Sequence, residues 1–342
     1  MMTRILVVLP NWYGETLFAT PFLRALRHQR PEAFIATLGW PQCREVLLDN
    51  PHVDLLLDFD ERGVHRGWIA QWRLAKALRA HHFDTAFILR RSLTRTLLIA
   101  LAGIPMRVGT ANRKSDWLLT RRVKPGSSPQ HKAATYLPLL EAVGLRGSLD
   151  GYEYTVSDAE RVAAREQLRS HKLLDDRPMV ILHPGANWFH KRWAPERVAA
   201  LGDRLATNQR VSIVITGGHD DVPLAESIRQ RMHASSTVLA GQTTLRQLAA
   251  CLEQAALVVS NDTGISHIAA ALHRPLVALY GPTAPSLTGP LGDPRRMIVL
   301  HHPDCCPQIP CFSPDRPPHP GMDSITVDEA YEAAVQLLGQ RR

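Results

Sequence analysis

Several features that settle a function at sight are missing from this chain of 342 residues. It has neither a G-x-x-x-x-G-K-[ST] phosphate loop nor a G-x-G-x-x-G dinucleotide fingerprint, which argues against an ordinary kinase, ATPase or NAD enzyme. H-E-x-x-H and paired C-x-x-C motifs are absent, so no standard zinc module is written in it. No stretch approaches the roughly 18 to 20 apolar residues of a membrane span. The nearest, TLLIALAGIPM, is interrupted by Gly103 and Pro105. The opening MMTRILVVLPNWYG holds only Ile5 to Leu9 before Pro10, too short for a signal peptide, and reads as a first strand. Five cysteines without an export signal are expected to be reduced thiols, which places the protein in the cytoplasm. Aromatics are 6% of the residues, with none between Ile88 and Asp116. A surface that stacks nucleic-acid bases needs them interleaved with its cations, so no nucleic-acid partner is expected.

What the chain does have is enough apolar sequence for more than one core. Hydrophobic residues are 45% and charged residues 21%, ordinary for a globular protein, and the length exceeds what one core usually organises. Lys and Arg number 40 against 32 Asp and Glu, a net charge of +8, which favours an acidic partner or substrate.

Short apolar runs alternate with helical patterns from the start: RILVVL, then ETLFATPFLRALRHQ as one helix, FIATLG, VDLLLD, IAQWRLAKALRAH, TAFIL, a helix around Thr94 to Ala102, and MRVG. After a polar stretch at 151–158 the same grammar restarts, through MVILHPG, PERVAALGDRLA, VSIVITGG, LRQLAACLE, ALVVSND and PLVALYGP. Alternation of this kind predicts α/β domains with parallel sheets covered by helices on both faces. The expected division is 1–155, 156–326 and a closing helix in 327–342. In such sheets ligands bind beyond the carboxyl ends of the strands. There fall NWYGE, HPGANW, TGGHDD and SNDTG.

The stretch NDTGISHIAAAL, residues 261–272, carries the clearest chemistry. Asp262 or Thr263 alone is a helix cap. Gly264 has poor helix propensity and no capping atom, so its place at a helix start suits close approach of a ligand to the backbone. A helix N-terminus without side-chain bulk favours an anion. Cys305, Cys306 and Cys311, with His301 and His302 before them, match no zinc spacing, and residues 303–320 read as a Pro-rich loop with free thiols.

Taken together, Gly14-Glu15 after the first strand, HPGANWFHKRWAPERVAAL in the middle and SNDTGISHIAAAL near the end resemble glycosyltransferase family 9, the ADP-heptose:lipopolysaccharide heptosyltransferases. The resemblance spans nearly the whole chain. D-T-G-x-x-H at Asp262 to His267 with K-R-W-x-P at Lys191 to Pro195 is its most specific part. It implies a GT-B fold, two Rossmann-like domains facing a central cleft. It also implies an inverting, metal-independent transfer of heptose from ADP-heptose to an anionic glycolipid at the inner face of the inner membrane, with peripheral membrane contact. Glu15 would be the base, where the family commonly has Asp. Lys191 and Arg192 would face the donor diphosphate, beside Gly185. Thr263 and Gly264 would hold phosphates, with Asp262 near the sugar and His267 a further ligand. Gly217 and Asp220 would lie towards the adenosine. Gly14, Arg90, Arg91, Arg121 and Arg122 would serve the acceptor, in a cation-rich region that also holds Arg95. Gly321 stands in a slot where the family often has Cys. Plainer readings stand beside these: Glu15 matching a helix dipole, a solvated basic turn at Lys191, an ordinary cap at Thr263, a packed His267. A nucleotide-sugar 2-epimerase of related fold and a non-catalytic nucleotide-sugar sensor are the alternative functions.

Overall fold

The apolar runs become strands buried on both faces, because helices cover both sides of a parallel sheet and leave no solvated face for alternation. In the first strand Ile5, Leu6, Val7 and Val8 are all fully buried. The computed structural model describes residues 2–174, 177–305, 309–311 and 319–340, which fall into two units, Met1–Thr155 and Val156–Arg342.

The first unit holds β1 (Arg4–Val8), β2 (Phe34–Gly39), β3 (Leu55–Asp58), β4 (Thr85–Ile88), β5 (Met106–Thr110) and β6 (Arg121–Val123), in the order β3-β2-β1-β4-β5-β6. All pairs are parallel, with Val8 registered against Leu38 on one side and Ile88 on the other. The second unit holds β7 (Met179–His183), β8 (Ser212–Ile215), β9 (Ser236–Val238), β10 (Leu257–Asn261), β11 (Leu276–Tyr280) and β12 (Met297–His301). Its order is β12-β11-β10-β7-β8-β9, again wholly parallel. Both sheets are doubly wound. The closing helix Val327–Gly339 packs into the core of the second unit through Ala330, Ala334 and Leu337.

The structure differs from the sequence reading in two respects. The helix expected over 15–29 is two helices, Tyr13–Leu17 and Thr20–Gln29. Pro21 lacks an amide hydrogen and is tolerated in a first turn, so the second helix starts afresh there. The edge strands β6 and β12 and the helix Pro41–Leu47 were not expected. At three residues, RRV is too short to show a period, and strand identity there comes from pairing with β5.

Candidate active site

In the second unit the chain leaves β7 outward through β8 and β9, then returns to the other side of β7 for β10, β11 and β12. The switch point therefore lies between β7 and β10, where the loops His183-Pro184-Gly185 and Asp262-Thr263-Gly264 emerge side by side. Buried Asn261 ties them together, donating from Nδ2 to the Pro184 carbonyl at 2.7 Å. Thr263 caps the helix Gly264–Ala271: its backbone is extended, and its Oγ1 accepts from the Ile265 amide at 3.2 Å. Gly264 is the first helical residue, so the positive end of the helix dipole opens at a position without a side chain.

Lys191 reaches this helix start from the loop after β7. Its turn, Phe189–Lys191, is anchored by Trp193, which is buried in the core and donates from Nε1 to the Ile325 carbonyl at 3.1 Å. Lys191 Nζ lies 2.6 Å from Asp262 Oδ2, and Thr283, just beyond β11, donates to the same oxygen at 2.5 Å. Burial pushes the Asp262 carboxyl up. The charges of Lys191 and His267, with the Lys191 and Thr283 hydrogen bonds, outweigh it and hold the group below the usual carboxylate range. Asp262 is thus a buried carboxylate that orients the cation as well as lying at the helix start. His267 is buried one turn into the helix, within electrostatic reach of Asp262.

The loop after β8 is built around Asp221, the neighbour of Asp220. Asp220 is exposed, whereas Asp221 accepts from the Gly218 amide at 3.1 Å and from Arg192 Nη2 at 3.1 Å. A Cβ on Gly185 would sit 2.6 Å from Asp221 Cγ, and one on Gly217 would sit 2.6 Å from Asp221 Cβ. Both glycines leave room for that carboxylate. Arg192 also donates from Nε to the Ala186 carbonyl at 2.9 Å, so it clamps the two loops together instead of joining Lys191. Beneath them His183 is buried, with its Nδ1 3.0 Å from Thr216 Oγ1. Burial, only partly opposed by Asp221, pushes its imidazole down to about 4, which keeps it neutral.

In the first unit the switch point lies between β1 and β4. Gly14 and Glu15 open the short helix after β1, and Lys132 Nζ meets Glu15 Oε1 at 2.9 Å. Tyr136 is buried close by: burial raises its hydroxyl above its ordinary value, Glu15 adds to the rise and Arg90 opposes it. Arg90 and Arg91 are exposed just past β4, at the same switch point. Arg121 and Arg122 are exposed as well, but on the edge strand β6, two strands away, or roughly 10 Å. Consecutive strand residues point to opposite faces, so these two do not line one surface together. Arg95 is no surface cation. It is buried and donates to the Leu9 carbonyl and to Asn11 Oδ1, with Glu61 3.5 Å away.

A sequence model described as glycosyltransferase family 9 (heptosyltransferase) matches residues 71–313. The chain belongs to glycosyltransferase family 9. It is 29% identical over 316 residues to lipopolysaccharide heptosyltransferase 2 of Escherichia coli (strain K12), covering 87% of this chain and 88% of that protein. To lipooligosaccharide heptosyltransferase 2 of Haemophilus ducreyi it is 30% identical over 311 residues, covering 87% and 88%. The fold is similar to the structure of the E. coli ADP-heptose heptosyltransferase II, with a TM-score of 0.81, 26% identity and 99% of both chains covered. A family 9 glycosyltransferase from Veillonella parvula DSM 2008 gives a TM-score of 0.87 at 25% identity over 99% and 97%. The two doubly wound units are those of the GT-B architecture. Membership of a transferase family does not favour the epimerase or sensor readings.

Within this family 9 chain, sequence reasoning passed over Thr283, Asp221, Asn261 and Lys132, and counted Arg95 among the first-domain cations. Asp221 had a signal, since it follows two glycines and another acid at a strand end. Thr283 had none apart from standing past a strand. Gly321, which the resemblance set against a cysteine, has a packing reason to be glycine. A Cβ on Gly321 would stand 3.1 Å from the Gly281 Cα and carbonyl oxygen, against the loop that carries Thr283. Cys305 is exposed and Cys311 half-buried, both as free thiols, while Cys306 lies outside the described residues. His302 is engaged by Glu329 at 3.0 Å. Among the described residues no three His, Cys, Asp or Glu side chains gather as a metal site.

Proposed function

We propose that this chain transfers heptose from ADP-heptose to the anionic inner core of lipopolysaccharide, inverting the anomeric carbon and without a metal. The observation that carries the reading is the Lys191–Asp262–Thr283 cluster at the uncluttered start of the helix Gly264–Ala271. It joins a fixed cation to a helix dipole where a diphosphate needs both. In the proposed step the Glu15 carboxylate takes the proton of the acceptor hydroxyl, with Lys132 holding it in place. The acceptor oxygen bonds to the anomeric carbon as the bond to ADP breaks on the opposite face. Negative charge then grows on the departing diphosphate, where Lys191 and the helix N-terminus meet it. Asp262, held by Lys191 and Thr283, offers its remaining lone pairs to a sugar hydroxyl. Arg90 and Arg91, exposed beside Glu15's switch point, attract the acceptor's carboxylates and phosphates.

The relatives matched over 86 to 87% of the chain are lipopolysaccharide or lipooligosaccharide heptosyltransferase 2 proteins of four bacteria, which supports heptose transfer in lipopolysaccharide assembly as the reaction. No helix of the described residues is long and apolar enough to cross a membrane. The test is turnover of ADP-heptose with purified protein on separate acceptors, with and without chelator. Chelator-resistant transfer to an inner-core acceptor supports the reading. Transfer abolished by chelation and restored by a divalent ion removes the metal-independent mechanism.

A further inference from the structure

Two neighbouring helices of the first unit carry their apolar residues on the wrong side. In the helix Trp68–Arg79, Ala75 and Leu78 face the core, yet Trp68 is 79% and Trp72 55% exposed, with Ile69 exposed beside them. In the helix Leu93–Leu101, Leu98 and Ile99 face the core, while Leu93, Leu97 and Leu101 form an outward stripe at intervals of four. The helices share one core and are joined by Arg79 Nη2 donating to the Leu101 carbonyl at 2.8 Å, so the outward faces lie side by side. Singly exposed apolar residues mean little. Three large ones on one helix next to a leucine stripe on its neighbour make a patch that water does not favour.

Along the two helices of the patch the charge has one sign. From Arg62 to Phe83 the chain contains Arg62, Arg66, Arg73, Lys76 and Arg79 and no acidic residue. From Thr85 to Ser115 there is again no Asp or Glu. Asp84, between the two stretches, is turned to β1, accepting from the Thr3 and Arg4 amides and the Thr3 hydroxyl. Lys76 Nζ lies over the Trp72 ring, 6.0 Å from its centre, an apolar stem lying along the patch with a charged tip.

We propose that this face is the surface by which the protein seats itself on an anionic lipid bilayer. Exposed tryptophans backed by cations suit the headgroup region, where an amphipathic ring sits and anionic lipid attracts Lys and Arg. The helix Trp68–Arg79 carries Arg73, Lys76 and Arg79 and no acid, so a second copy seated on it would set like charges against like, and charge complementarity selects the membrane. The leucine stripe also begins two residues after Arg91, which brings the bilayer face next to the arginines of the acceptor site. The purpose, reaching a lipid-anchored acceptor, rests on the proposed function; the surface chemistry does not.

The test is cosedimentation of the whole protein with vesicles, in the absence of donor and acceptor. Vesicles rich in phosphatidylglycerol should bind the wild type, and phosphatidylcholine alone should bind it far less. Replacing Arg73→Gln and Lys76→Gln together should weaken partition about thirtyfold, each cation near an anionic surface being worth about a factor of five. The triple variant Trp68→Ser, Ile69→Ser, Trp72→Ser should lose binding by at least about tenfold. It should also keep wild-type turnover on a deacylated, soluble acceptor and lose it on acceptor embedded in vesicles. Wild type that ignores anionic vesicles, variants that bind as wild type does, or a dimer in ultracentrifugation that the triple variant splits would each overturn the proposal. A chain that binds vesicles but transfers no heptose would overturn the proposed function alone.

Discussion

Replacing Lys191 with Met should leave Asp262 buried with its cation gone. Removing one partner of a buried ion pair costs about 3 to 5 kcal/mol. Here the Lys191 side chain is 21% exposed and Thr283 still donates to the carboxylate, so the lower end, about 3 kcal/mol, is expected. For a unit the size of Val156–Arg342 that lowers Tm by roughly 6 to 12 °C. The pH dependence fixes the cause. In the wild type the Asp262 pKa is depressed, so its stabilisation is fully present above the unfolded carboxylate value and is lost as pH falls through the folded one. In the variant burial is left opposed only by His267 and Thr283, the pKa rises, and the sign inverts. The deficit should be largest near neutral pH and shrink as acid protonates Asp262. Adding Asp262→Asn to Lys191→Met should recover much of the loss, because no uncompensated charge stays buried. Thermal denaturation of the four proteins of this cycle at about pH 5 and about pH 8 measures it. Strictly additive losses that do not change with pH would refute the reasoning.

Three further outcomes follow from the same geometry. Glu15→Gln should lower turnover by about 10² or more with the donor Michaelis constant nearly unchanged, and steady-state kinetics showing wild-type turnover would take Glu15 out of the mechanism. His183, pushed down to about 4 by burial, binds its proton more readily in the unfolded chain; stability should therefore be fully present above about pH 6.5 and fall by about 3 kcal/mol as pH drops towards 4. Tm against pH for wild type and His183→Asn reads this, the variant showing the flatter curve. Gly321→Cys should cost about 1 to 3 kcal/mol and reduce turnover, because the new side chain presses on the Gly281 backbone and the loop bearing Thr283; unchanged Tm would show that this contact yields freely.

How much of this was legible in the sequence follows from how local each signal is. Strand–helix alternation is local, and RILVV, FIATLG, MVILH and LVVSN all formed strands where their apolar runs stood. The helix start at Thr263-Gly264 was legible because a cap and a glycine are backbone requirements of a few residues. Lys191 was singled out, but its pairing with Asp262, 71 residues on, was not, since only the sheet order brings the β7 and β10 loops together. The choice between Asp220 and Asp221 depends on which side chain a turn aims inward, and glycines at 185 and 217 decide that through space they leave empty. Arg95 read as one more surface cation because burial of an arginine depends on distant acceptors, here Leu9 and Asn11. The split at Pro21 was readable from proline's missing amide, and the amphipathic pattern running across it concealed the break.

The most direct measurement of the central claim is mass spectrometry of the products after incubating the purified chain with ADP-heptose, with and without a lipopolysaccharide inner-core acceptor. The account predicts one heptose added to the acceptor for each ADP released, with the anomeric configuration inverted and ADP-heptose left intact when acceptor is withheld. Conversion of ADP-heptose to another nucleotide sugar without acceptor, or an acceptor that stays unmodified while the donor binds, would contradict it.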